Sequence, residues 1–322
     1  MSQSSPPHST SSHSVTPARR LRTLLHGHDP ARDGALVMPC CFDALSARLI
    51  EQAGFPLTFM SGFGVSAARL GLPDTGLISY GEIVDQGRNI CAAVAIPVIG
   101  DADTGYGNAL NVKRSVFGYA QAGFAAVMIE DQVWPKRCGH TRGKQVVSRA
   151  EALARIRAAV DARAALQATG GDILILARTD ARATDGLDEA LARAAAFAGL
   201  GADILFVEAP RGEDEMRRIC AEVPGIHMAN MVEDGDTPLL PPAVLGDIGY
   251  RLVAYPLTLL SAAMRAMMAA LTDLRAGRHP GDRLLDFATL RRIVGFDDYY
   301  AEEAHYAPPM LPSTLTPRPG PR

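Results

Sequence analysis

Cysteine is scarce in this chain: five occur among 322 residues, at Cys40, Cys41, Cys91, Cys138 and Cys220, and none sits in a CxxC or CxxH spacing. That leaves no disulfide scaffold and no zinc-site pattern, and it fits a reducing, cytoplasmic compartment. Also missing is any uninterrupted apolar run of about eighteen residues, the length a membrane helix needs. An excess of charge is lacking too. The 32 Lys and Arg nearly balance 35 Asp and Glu, for a formal charge of -3. The two signs are intermixed, so there is no electrostatic footprint for nucleic acid or anionic lipid.

What is present is apolar mass. At 48% hydrophobic residues the chain can bury one large core, and its length suits a single α/β barrel or two ordinary domains. The ends differ from the middle. Residues 1–19 are rich in Ser, Pro and His and read as a disordered leader, and the Pro-rich stretch 307–322 reads as a disordered tail. No acidic residue precedes Asp29, but the prolines spoil an amphipathic presequence and there is no apolar signal core.

Between the tails one theme repeats. The runs ALVMP, LTFMS, IPVIGDAD, AAVMIED, DILILARTD, DILFVEAP, GIHMAN and RLVAYP are eight candidate buried strands. Ala-rich stretches of helical period separate them, such as SRAEALARIRAAVDARAAL and LDEALARAAAFAGLG. Apolar strands alternating with helices require a parallel sheet covered on its outside. Eight such units closing on themselves form a TIM (β/α)8 barrel, expected over residues 20–276, with a C-terminal helical extension over 277–306.

Polar residues then fall in a pattern. Ser61, Asp101 with Asp103, Glu130 with Asp131, Arg178, Glu208 and Asn230 each lie at or just past the C-terminal end of a different strand, the barrel face that builds active sites. Any one of them is an ordinary strand-ending residue, but chance would scatter Lys, Thr and Gln among them as readily as carboxylates. In GDADTGYGN, Asp101 and Asp103 point to the same side, and Gly105 and Gly107 let the loop turn tightly. With Glu130 and Asp74 added, the cluster would repel itself without a cation. Carboxylates and water around a hard ion suit Mg²⁺, with Mn²⁺ as a substitute. The GYGN stretch, with two glycines, is a weak match to a dinucleotide loop.

The segment PKRCGH places a thiol among cations. Lys136, Arg137, Arg142 and Lys144 surround Cys138, with His140 two residues away, and such surroundings favour the thiolate. Cys138 is thereby a candidate proton donor, whereas the four other cysteines lie in apolar contexts and read as structural. Trp134 reads as an anchor for this loop and His227 as a core histidine.

These residues carry a resemblance. GDADTGYGN, IEDQVWPKRCGH, LARTDA, FVEAP and ANMVEDGDTPLLP resemble the isocitrate lyase and phosphoenolpyruvate mutase superfamily, from about CFDALSARL to LVAYPLTLL. The Lys-x-Cys-Gly-His loop marks its carbon–carbon lyase branch. Within that branch the pattern is more similar to the 2,3-dimethylmalate lyase and petal death protein group than to 2-methylisocitrate lyases, because FMSGF has Phe59 and Phe63 where the latter have a tyrosine and a second glycine.

The resemblance implies a Mg-dependent retro-aldol cleavage of a 2-hydroxy dicarboxylate, either a 2-alkylmalate or 2-methylisocitrate, to a 2-oxo acid such as pyruvate plus a carboxylate. It implies Mg²⁺ on Asp101, with Asp74, Asp103 and Glu130 acting mostly through water. The substrate would meet Ser61, Gly62, Phe63, Asp101, Gly139, Glu208 and Asn230, with Arg178 as the clamp. Cys138, Lys136, His140, Arg178 and Glu130 would form the catalytic set, and the base for the 2-hydroxyl stays open between Glu130 and a water. The superfamily exchanges a C-terminal helix between subunits, which implies a homotetramer built as a dimer of dimers. The alternatives are an oxaloacetate hydrolase or decarboxylase, a phosphonate enzyme, and an inactive dicarboxylate-binding protein.

Overall fold

The structure is a computed structural model that describes residues 16–138 and 143–307. The chain divides into two units, Met1–Met267 and Met268–Arg322, with the boundary inside the helix Thr258–Arg275.

The first unit is a closed barrel of eight parallel strands in sequence order. They are β1 (Leu36–Cys41), β2 (Thr58–Met60), β3 (Val98–Asp101), β4 (Ala126–Glu130), β5 (Leu174–Thr179), β6 (Ile204–Val207), β7 (His227–Asn230) and β8 (Tyr250–Tyr255). Each of the eight sequence-predicted runs overlaps one strand, with β1 extending two residues past ALVMP and β8 starting one residue before RLVAYP. β8 closes on β1 in register Leu36 to Leu252.

Two-residue alternation sorts the side chains. Met38 and Cys40, Phe59, Ile99, Ala126 and Met128, Leu174 and Leu176, Ile204 and Phe206, Met228, and Leu252 and Ala254 pack together inside the barrel. Their outward neighbours, such as Met60, Val127, Ile175 and Leu205, pack in the layer under the helices.

The barrel floor is sealed by a helix that composition alone does not reveal. Pro17–Gly27 starts at Thr16, whose hydroxyl accepts from the Arg19 N–H at 3.3 Å, with proline in the first turn. Ala18, Leu21 and Leu25 share one face and are buried in the inner core with Leu57 and Leu174. The last four residues of the stretch expected to be a disordered leader, 16–19, are therefore ordered; 1–15 and the tail from 308 lie outside the described residues. Burying Leu21 and Leu25 contributes about 1.5–3 kcal/mol each.

In the second unit the expected C-terminal helical extension contains two helices, Phe287–Val294 and Phe296–Tyr306. Gly295, at φ 91°, ends the first in the left-handed region, where glycine has no Cβ to clash. Arg278 and Arg283 both pair with Asp273 in this unit. Arg291 lies 5.4 Å from the Phe296 ring centroid and 5.7 Å from that of Tyr300.

Candidate active site

Continuing the inward alternation by one step past the core layer gives the site. Ser61 follows Phe59, Asp101 follows Ile99, Glu130 follows Met128, Arg178 follows Leu176, Glu208 follows Phe206, Asn230 follows Met228 and Pro256 follows Ala254. All of these except the core residues Ile99 and Leu176 line one cavity of about 230 Å³ at the C-terminal mouth of the barrel. Phe63, Asp74, Lys136, Arg137 and Cys138 line it too, and Val232 and Leu257 complete a wall that is largely apolar. Glu130 and Asp131, adjacent in sequence, part company here. Glu130 faces the cavity, whereas Asp131 faces outward and accepts from the Thr179 hydroxyl at 2.6 Å and from Arg193 at 3.0 Å.

The carboxylate pole is organised by backbone and by lysine. One Asp101 oxygen accepts from the Gly62 N–H at 3.2 Å and the other from the Asp103 N–H at 3.0 Å. The Gly62 N–H, expected to hold substrate, is therefore directed at Asp101. A Cβ on Gly62 would lie 2.6 Å from that Asp101 oxygen, so the approach requires glycine. The Ser61 hydroxyl accepts from the Gly64 N–H at 3.1 Å and caps a short helix. Asp103 takes φ 48°, which turns the chain back just after β3.

Lys136 reaches into this pole. Its ammonium lies 2.6 Å from Asp74 and 2.8 Å from Asp103, and all three side chains are buried. A cation of the chain itself thus joins two of the carboxylates that sequence reasoning assigned to a metal. Burial alone would lower the Lys136 pKa, but Asp103 and Asp74 outweigh it and hold the ammonium charged. Burial raises the pKa of Asp101, and the neighbouring Asp103 adds to the effect. Glu130 is pushed well up by burial, against the opposing pull of Arg178. One of its oxygens, Oε1, is buried with no hydrogen-bond partner.

Arg178 is the cationic pole. Its Nε and Nη2 donate to Asp180 at 2.8 and 3.1 Å, Nη1 lies 3.1 Å from Glu208, and Nε lies 3.3 Å from Glu130. Its guanidinium carbon stands 5.2 Å from the Phe206 ring centroid, a cation–π distance. Burial would lower its pKa, but Asp180, Glu208 and Glu130 raise it well beyond the ordinary value. Glu208 therefore orients Arg178 as well as lining the cavity, and the Asn230 amide lies 3.5 Å from both Glu208 oxygens.

Cys138 lines the cavity and is partly exposed. Of the cations expected around it, Lys136 pairs with Asp74 and Asp103, and Lys144 with Asp180. Gly139, His140 and Arg142 lie outside the described residues. Trp134 packs edge-on to Tyr106 at 6.0 Å, an anchoring contact. His227 is a buried residue whose Nε2 meets the Val223 carbonyl at 2.7 Å. Sequence reasoning missed Asp180, and it missed the wall residues Phe206, Met228 and Val232. The signal for Phe206 and Met228 was available, since each stands two residues before a site residue.

Among the described residues no group of three or more His, Cys, Asp or Glu side chains is arranged to hold a metal ion directly. The donor chemistry nevertheless fits a hard cation bound through one or two carboxylates and water. Asp74, Asp101, Asp103, Glu130 and Glu208 outnumber Lys136, Arg137 and Arg178 around the cavity, and Glu130 Oε1 lacks a partner.

Comparison with known proteins agrees with this geometry. The 2,3-dimethylmalate lyase of Eubacterium barkeri is 43% identical over 275 residues, covering 84% of this chain and 93% of that protein. A solved structure of oxaloacetate acetylhydrolase, in complex with 3,3-difluorooxalacetate, superimposes with a TM-score of 0.86 at 32% identity, over 92% of this chain and 99% of the other. Phosphonopyruvate hydrolase, solved in complex with oxalate and Mg²⁺, gives 0.77 at 28% identity, over 90% and 99% of the two chains. The phosphoenolpyruvate phosphomutase family model matches residues 22–275, and the chain belongs to that family, within the phosphoenolpyruvate mutase and isocitrate lyase superfamily.

Proposed function

We propose that the chain is a Mg²⁺-dependent carbon–carbon lyase that cleaves a 2-hydroxy dicarboxylate, 2,3-dimethylmalate or a related 2-alkylmalate, to pyruvate or another 2-oxo acid and a carboxylate. The observation that carries this reading is one cavity with a carboxylate pole at Asp101 and Glu130, a cation at Arg178, a thiol at Cys138 and an apolar wall of Phe206, Met228, Val232 and Leu257. A dicarboxylate with alkyl substituents has the complementary shape. Hydrogen-bonding groups would take its charged ends and the wall its methyl groups.

The ion would be held by Asp101 directly, and by Asp74, Asp103 and Glu130 through water. When bound it supplies Lewis acidity to the 2-hydroxyl oxygen as that oxygen becomes a carbonyl. Arg178 clamps the carboxylate of the 2-oxo acid portion, in an orientation set by its own carboxylate neighbours. Glu130, whose pKa burial raises, would accept the 2-hydroxyl proton. The C2–C3 bond then breaks, and its electron pair moves into the carboxylate carried on C3. Lys136, His140 and Asn230 steady the dianion that develops. Cys138 delivers a proton to C3 and releases the carboxylate product. The apolar wall keeps water from the carbanion.

A coupled pyruvate assay with 2,3-dimethylmalate and 2-methylisocitrate, with and without EDTA, tests the reading. Chelator-sensitive pyruvate release from the dimethyl acid supports it, and no release from either acid sinks it. The second reading is hydrolysis of oxaloacetate to oxalate and acetate, favoured by the high structural similarity to oxaloacetate acetylhydrolase. That reaction has no use for an alkyl-binding wall.

We further propose a cytoplasmic homotetramer, a dimer of dimers that exchanges C-terminal helices. Exposed Met264, Met267, Met268 and Leu271 on the helix Thr258–Arg275 support burial against another copy. A monomer in light scattering at micromolar concentration would remove this proposal. No helix among the described residues is long and apolar enough to cross a membrane.

A further inference from the structure

Behind Arg178 lies a second tier of charge that faces away from the cavity. Asp180 grips Nε and Nη2 of Arg178, and its side chain is 0% exposed. The Asp180 oxygen that accepts from Nη2, Oδ1, also accepts from the Lys144 ammonium at 3.0 Å, on a side chain 5% exposed. Lys144 does not belong to a barrel strand. It sits on the return limb of the segment that leaves β4 and carries Cys138. That limb is pinned by the Val133 N–H to the Gln145 carbonyl at 2.8 Å and by the Val147 N–H to the Asp131 carbonyl at 2.9 Å. Asp131 in turn accepts from the Asp180 N–H at 2.9 Å and from Arg193.

We infer that Lys144 and Asp180 are positioning residues, which fix the direction of the Arg178 guanidinium from behind and tie it to the segment bearing Cys138. Arg178 has three carboxylate neighbours within 3.3 Å, so its position depends on which of them grips it hardest. The bidentate contact gives that role to Asp180. An aspartate held by two cations and through its own N–H has a fixed place; held by Arg178 alone, the pair can shift together. Small displacements of a substrate clamp carry large rate costs. The thiol and the clamp thereby keep one mutual geometry, although they come from separate parts of the chain.

The inference rests on the proposed reading only in that Arg178 meets an anion. The test titrates the full-length protein, supplied with Mg²⁺, with oxalate by calorimetry, and measures kcat and KM for whichever hydroxy acid is cleaved. Lys144→Met is expected to weaken oxalate binding and raise KM by about tenfold or more, and Lys144→Arg to recover most of that loss. Asp180→Asn should lose at least as much. Wild-type oxalate affinity in Lys144→Met, or a loss that arginine does not recover, would reduce Lys144 to a charge that only neutralises Asp180. If Lys144→Met does not fold, Lys144→Gln takes its place in the same comparison. A wild-type chain that binds oxalate but cleaves no hydroxy acid would sink the lyase reading and leave this inference to be decided by the oxalate arm. A wild-type chain that does not bind oxalate overturns the inference.

Discussion

The Lys136 ammonium stands 2.8 Å from an Asp103 carboxylate oxygen, with both side chains no more than 4% exposed, and the same ammonium lies 2.6 Å from Asp74. A buried cation shared by two buried carboxylates cannot be removed cheaply, because the partners left behind have neither water nor a counter-charge. Lys136→Met is therefore expected to lower unfolding free energy by about 3–5 kcal/mol. Urea unfolding at neutral pH measures this. A loss below about 1 kcal/mol, the scale of an exposed pair, would contradict the buried arrangement.

Cys138 is assigned proton delivery and no part in binding. Cys138→Ser should lower kcat by on the order of 10²-fold or more while oxalate affinity stays within about twofold of wild type. Unchanged turnover would take the thiol out of the mechanism.

Gly62 is where a single methyl group meets the carboxylate pole. Gly62→Ala keeps an accessible backbone conformation but sets a Cβ 2.6 Å from Asp101 Oδ2. The carboxylate has to move, and the expected cost in kcat/KM is on the order of 10²-fold, with a higher Mg²⁺ concentration needed for half activity. A Gly62→Ala enzyme with the wild-type Mg²⁺ requirement would show that Asp101 does not govern the ion.

The acid response of the fold should depend in part on Glu189. Its carboxylate accepts from Arg149 at 3.0 Å and Arg193 at 2.7 Å, and the Arg149 contact leads in holding its pKa down at about 2, against an ordinary 4.5. A depressed pKa means stability that is fully present above about pH 4.5 and is lost as pH falls from there through about 2. Glu189→Gln should therefore melt below wild type at pH 7, and the gap should narrow steadily between pH 4.5 and 2. A gap that stays constant over that range would show that the pair contributes nothing through ionisation.

The barrel was legible in the sequence because each strand is buried on both faces and so reads as an unbroken apolar run. The cavity residues were legible for a related reason: Ser61, Asp101, Glu130, Arg178, Glu208 and Asn230 interrupt those runs at the step where the inward row leaves the core. Pairings between distant segments were not legible. Lys136 looked like a cation for Cys138, and only the fold shows its ammonium between Asp74 and Asp103. Asp180 was passed over, since nothing local foretells that Lys144 meets it from another loop. The floor helix was hidden because Ala18 lies in a stretch whose overall composition is that of a disordered segment. The break at Gly295 was available from the glycine itself.

The most direct test is proton NMR of the purified protein with Mg²⁺ and 2,3-dimethylmalate in deuterated water. The account predicts pyruvate together with propionate carrying one deuterium at C2, the position Cys138 reprotonates. Intact 2,3-dimethylmalate, with oxalate and acetate appearing in a parallel tube of oxaloacetate, would contradict it and make the protein a hydrolase.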